Sequence, residues 1–142
     1  MTPKFRAWDK ISKKMFPVMM IDFGQSYVMI EEINGLWCER DFDDIELMQY
    51  TGLHDVQGKE VFEGDLIATP FEEDGLFEVH MDTVAGVYTK STLTGKLQFI
   101  EDLDSLEELE GFKAEFAEYL EIKGNIYENP DLLGEHGGRN KI

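Results

Sequence analysis

The sequence predicts a mainly β protein: a small SH3-like barrel in the C-terminal part, an N-terminal antiparallel β appendage and one short helical segment. Three observations predict it. Short alternating or β-branched runs recur along the chain, separated by turns that carry glycine and aspartate. Asn34-Gly35 stands between Tyr27–Ile33 and Leu36–Arg40 as the two-residue signal of a primed hairpin turn. Between Tyr50 and Thr69, the turn residues Gly52, Asp55, Gly58, Gly64 and Asp65 fold short strands around a sharp corner, of the kind from which small barrels are built.

The elements follow in order. Lys4–Asp9 alternates, with Phe5 and Ala7 on one side and Arg6 and Trp8 on the other, and a polar connector leads to the second arm, Met15–Phe23. Pro17 lies inside that arm and cannot donate to a ladder, so the arm is read as an edge strand or as one that begins with a bulge. After the Gly35 hairpin, Asp41–Asp44 breaks the pattern and Ile45–Tyr50 enters the organising segment. Residues 1–44 are therefore expected to form N-terminal hairpins and residues 45–133 the barrel. Asp55 and Gly58 frame a tight reversal, Val61-Phe62 and Leu66–Ala68 are short strands, and Gly64-Asp65 is the corner between them. Leu76–Met81, Ala85–Thr89 and Lys96–Ile100 are further strands. A helix is expected from Asp104, with Leu106, Leu109 and Phe116 at helical spacing and Glu107 and Glu108 in a first turn where the helix dipole favours acids. Tyr119–Lys123 and Asn125–Tyr127 close the sheet, Pro130 stops it, and residues 134–142 are expected to be a disordered tail.

Three ordered blocks carry a family resemblance: Lys4-Phe-Arg-Ala-Trp-Asp9, Thr51 to Ile67, and Gly124-Asn-Ile-Tyr-Glu-Asn-Pro-Asp-Leu-Leu133. Together they resemble the YopX family of phage and prophage proteins, over residues 4 to about 134. The resemblance implies a mainly β protein with an SH3-like C-terminal part, encoded by a phage or prophage, for which no biochemical activity is established. It brings no catalytic or binding residues with it.

Composition bounds the function classes. The 142 residues are 42% hydrophobic and 12% aromatic, enough to fold around a real core. The single cysteine, Cys38, excludes an internal disulfide and reads as a small buried hydrophobe. The first residues hold no apolar run of a secretion signal, and no run approaches the ~18 residues of a membrane span, so a cytoplasmic location in the host cell is expected. A formal net charge of −17 disfavours direct binding to nucleic acid, whose affinity comes from clustered Lys and Arg.

Motifs for catalysis are missing. His54, His80 and His136 fall at no metal-ligand spacing, and HExxH, CxxC and GxSxG do not occur. Asp41–Asp44 starts like a calcium loop, but Glu46 occupies the position that needs glycine. His80 and Asp82 share a strand face and define the one enzyme alternative, a small hydrolase. No cofactor and no metal is expected. The stretch Glu101–Glu121, which has Lys113 as its one cation, supplies the other feature: Glu101, Asp102, Asp104, Glu107 and Glu108 form a candidate acidic face for a basic protein partner. A non-enzymatic phage accessory protein that binds another protein is the leading expectation. A structural or self-associating module, pairing through the N-terminal strands with Phe5, Trp8, Phe16 and Met19, is the alternative.

Overall fold

The structure, a computed structural model, describes residues 4–68, 75–82, 86–99 and 116–133. The chain divides into two compact units, residues 1–50 and 51–142.

In the first unit, strands β1 (Phe5–Asp9), β2 (Lys14–Asp22), β3 (Tyr27–Ile33), β4 (Leu36–Asp41) and the start of β5 (Ile45–His54) form an antiparallel sheet in the order β4-β3-β2-β1-β5. Gly35 has φ +83° but Asn34 is not in the left-handed region, so the hairpin forms where Asn-Gly predicts it without the primed turn, next to a register shift between Glu31 and Ile33. Alternation places Ala7, Phe16, Val28, Ile30 and Ile45 on one buried face, with Cys38, Phe42 and Leu47 packed against them. Pro17 does not mark an edge, because β2 lies between β1 and β3. The proline pairs with Arg6 where β2 passes from β1 to β3, next to a register shift between Val18 and Met20. A bulge tolerates the missing N–H there. The edge is β4, which pairs with β3 alone among the described residues.

A single 3-10 turn, Phe42–Asp44, connects β4 to β5 and is fastened by Lys10 N–H to Asp44 O (3.0 Å) and Phe42 N–H to Ser26 O (3.0 Å). The Asp9 carboxylate, 1% exposed, accepts from Arg40 Nε (3.0 Å), Ser12 Oγ (2.9 Å) and Ile11 N–H (3.0 Å). Because β2 and β3 separate β1 from β4 in sheet order, this ion pair ties together distant parts of a coiled sheet. Burial pushes the Asp9 carboxyl up, but hydrogen bonds from Arg40, Ile11 and Ser12, with the guanidinium charge, outweigh it and hold the group below its ordinary value.

In the second unit, the end of β5 pairs with β6 (Glu60–Phe62). Strands β7 (Asp65–Ala68), β8 (Phe77–Asp82), β9 (Gly86–Ser91), β10 (Leu97–Phe99) and β11 (Glu121–Asn125) form an antiparallel sheet ordered β10-β9-β8-β7-β11. Its core is Leu53, Val61, Ile67, Val79, Val87 and Phe116, joined by Phe77, Met81, Leu120 and Ile122. Residues 116–119 are helical and end at the Leu120 N–H to Phe116 O bond (3.0 Å). The remainder of the helix expected from Asp104 lies outside the described residues. No closed barrel is found among the described residues. Among the described residues, β10 and β11 each pair with one strand, so the sheet is open at both edges there.

Candidate functional site

The organising segment is built around Asp55. The chain reverses from β5 to β6 over Asp55–Lys59, with Asp55 N–H donating to Lys59 O (2.9 Å) and Gly58 N–H to Asp55 O (3.0 Å). The Asp55 side chain is buried, and Oδ1 accepts from the N–H groups of Gln57 (2.9 Å) and Lys59 (2.9 Å). Its Oδ2 accepts from Ile122 N–H on β11 (3.2 Å), while Val56 N–H donates to Leu120 O (2.9 Å). One carboxylate thus closes a local turn and fixes a strand 67 residues later. Burial pushes its pKa up, but the N–H groups of Lys59, Ile122 and Gln57 and the Lys59 charge more than offset that and hold it below the ordinary value.

The corner at Gly64 joins the same two parts of the sequence. Gly64 has φ +89°, its N–H donates to Val79 O (2.8 Å), and its carbonyl accepts from Ile126 N–H (3.0 Å). Asp65 Oδ2 accepts from Phe62 N–H (2.8 Å) and closes the turn. Across β7 and β11, Asp65 stands opposite Asn125 and Leu66 opposite Gly124. Asn125 Oδ1 then accepts from the N–H groups of Tyr127 (3.0 Å) and Glu128 (2.8 Å), and Asn129 Oδ1 accepts from Asn125 N–H (3.2 Å). A Cβ at Gly124 would meet Asn129 Oδ1 and lie 2.7 Å from its Cγ, so a larger residue there would displace the side chain that accepts from Asn125 N–H. Gly52 (φ +88°), Asp55, Gly58 (φ +80°), Gly64 and Asp65 therefore all serve main-chain geometry. In this cluster main-chain N–H groups donate either to main-chain carbonyls or to the side-chain oxygens of Asp55, Asp65, Asn125 and Asn129, which makes it a fold-holding device. Gly64→Val is expected to lower the unfolding free energy by about 1–3 kcal/mol, because a β-branched residue is strained at positive φ. An unchanged thermal midpoint would contradict this role.

Among the described residues, His80 has a carboxylate neighbour that the sequence reading does not name. Glu78 is fully buried, and its Oε1 lies 3.1 Å from His80 Nε2. The His80 ring stacks on Tyr88, which stands opposite it on β9, with ring centroids 5.0 Å apart and 10° between planes. Asp82 pairs through its backbone with Gly86, and its side chain lies outside the described residues. The same period-2 rule that links His80 to Asp82 also links it to Glu78, which is buried. His54 is exposed at the end of β5, and His136 lies outside the described residues. Among the described residues, no group of three or more His, Cys, Asp and Glu side chains is placed to hold a metal ion.

The predicted acidic residues Glu101, Asp102, Asp104, Glu107 and Glu108 all lie outside the described residues. Near them in sequence, Glu118, Glu128 and Asp131 are exposed carboxylates, and Glu121 is half exposed and bonded to Lys123 (3.1 Å). Of the expected self-association residues, Phe16 is buried, Phe5 and Trp8 are half-buried, and Met19 is exposed. The more exposed apolar side chains of the first unit are Ile11, Phe23, Ile33, Leu36 and Trp37, which alternation did not single out.

The YopX protein family model matches residues 4–134. No curated protein matches the chain. Among solved structures, the chain is similar to the crystal structure of protein EF1440 from Enterococcus faecalis, with 26% identity, a TM-score of 0.53, and coverage of 94% of this chain and 99% of that one. No helix of the described residues is long and apolar enough to cross a membrane. Asp9, Asp55, Gly64 and Asn125, which hold the turns and strand junctions described above, all fall within the matched span, and by that match over nearly its whole length the chain belongs to the YopX family.

Proposed function

We propose that this chain is a non-enzymatic accessory protein of a phage or prophage that acts in the host cytoplasm by binding a basic protein through an acidic surface of residues 51–142. The observation that carries the reading is the distribution of charge. Residues 51–142 hold 21 Asp and Glu against 7 Lys and Arg, a net of −14, whereas residues 1–50 hold 9 against 6, a net of −3. So concentrated a negative field steers a basic partner and repels nucleic acid. Glu101, Asp102, Asp104, Glu107 and Glu108 lie in the densest part of it.

Affinity capture from host lysate at low and raised salt tests the proposal. The expected result is a basic protein retained at low salt and released as the charges are screened. Capture of nothing at either salt concentration, with a stable oligomer in light scattering, would favour the self-associating alternative instead. The hydrolase alternative at His80 and Asp82 requires that a double substitution there abolish a measurable hydrolysis. The proposal expects the double variant to capture the same partner as the parent chain.

A further inference from the structure

We propose that the free edge and outward face of β4 receive an extended basic segment of another protein, laid alongside β4 as an added strand. This surface lies in the first unit and does not rest on the acidic-surface reading of residues 51–142. Cys38 and Arg40 stand opposite Ile30 and Val28, both fully buried, so these two β4 residues share the inner face. Trp37, Glu39 and Asp41 are then on the other face. There Trp37 stands opposite Glu31 and Glu39 opposite Met29, which in turn is opposite Met20. Trp37 is 47% exposed and Met20 40%. The charged side chains on this face of β3 and β4, Glu31, Glu39 and Asp41, are all acidic, because Arg40 is turned inward onto Asp9.

An edge strand offers alternate N–H and C=O groups to an incoming chain, and its side chains select which chain is accepted. Trp37 with Met20 and Met29 makes an adaptable apolar centre of the kind that anchors binding. The surrounding carboxylates ask for Lys or Arg at the remaining positions of the added strand. A second copy of this chain would bring the same carboxylates, with its own Arg40 held by Asp9, and so lacks the complementary charge.

The test is titration of the full chain with an acetylated, amidated octapeptide of alternating lysine and valine, labelled for fluorescence polarisation. Saturable binding is expected, at least tenfold weaker for Trp37→Ser, for the combined Glu31→Gln, Glu39→Gln and Asp41→Asn variant, and for a peptide N-methylated at alternate amides. The control variant Glu118→Gln with Glu121→Gln is expected to bind unchanged. All of these substitutions fall on at least partly exposed side chains, and circular dichroism checks that each variant is folded. Absence of saturation, binding that survives both β4-face variants, or loss confined to the Glu118/Glu121 control would overturn the proposal. So would a dimer in light scattering that Trp37→Ser dissolves, since a second copy would then occupy the edge. None of these results touches capture by residues 101–121, so the two readings can fail separately.

Discussion

Replacing Asp55 by alanine is expected to lower the unfolding free energy by about 3–5 kcal/mol, among the largest effects of any single substitution in this chain. The carboxylate accepts three main-chain N–H groups, from Gln57, Lys59 and Ile122. Charge-assisted bonds of this kind contribute about 1.5–3 kcal/mol each, less than additively, and their loss leaves the N–H groups without the acceptor they were folded around. Asp55→Asn should lie between the parent chain and Asp55→Ala: the amide oxygen can still serve the local turn, while its NH2 group faces the Ile122 N–H as a second donor. Denaturant unfolding measures both. An Asp55→Ala midpoint within error of the parent would show that the turn does not hold β11.

Arg40→Met is expected to cost about 3–5 kcal/mol, because it removes the partner of a carboxylate that is already out of water. A double variant, Asp9→Leu with Arg40→Met, should recover part of the loss, since an unpaired buried charge costs more than no charge. The pair also sets a pH dependence. Asp9 titrates below its ordinary value in the folded chain, so its contribution is complete above about pH 4 and is lost as pH falls through the lower folded value. Asp55 acts in the same direction. Stability of the parent chain should therefore fall as pH drops below about 4, and Asp9→Asn should flatten that decline. An equally steep decline in the variant would remove Asp9 from the account.

The strands were legible because each obeys a local rule. Alternation marks Phe5 to Asp9 and Tyr27 to Ile33, and Asn34-Gly35 marks the hairpin between β3 and β4. Gly64 and Asp65 read as a corner because positive φ and side-chain acceptance from a nearby N–H are local properties too. What the sequence hid is long-range. Nothing near Asp55 points to Ile122, nothing near Asp9 to Arg40, and Pro17 looked like an edge because the partners of β2 on its two sides are supplied by other segments. Glu78 was within reach of the period-2 rule that linked His80 to Asp82, but its burial depends on packing that no single strand records. The acidic candidates from Glu101 to Glu108 were found by charge, a property that carries partner chemistry without geometry.

The proposed function rests on a division of labour: the turn-holding residues around Asp9, Asp55, Gly64 and Asn125 keep the fold, and the acidic residues Glu101 to Glu108 are proposed to meet the partner. The most direct measurement is the affinity of the basic protein captured from lysate for the parent chain and for a variant with Glu101→Gln, Asp102→Asn, Asp104→Asn, Glu107→Gln and Glu108→Gln, titrated at two salt concentrations. At least a tenfold loss of affinity at low salt and a flatter salt dependence are expected of the variant, with the thermal midpoint unchanged. Equal affinity and equal salt dependence in the two chains would contradict it.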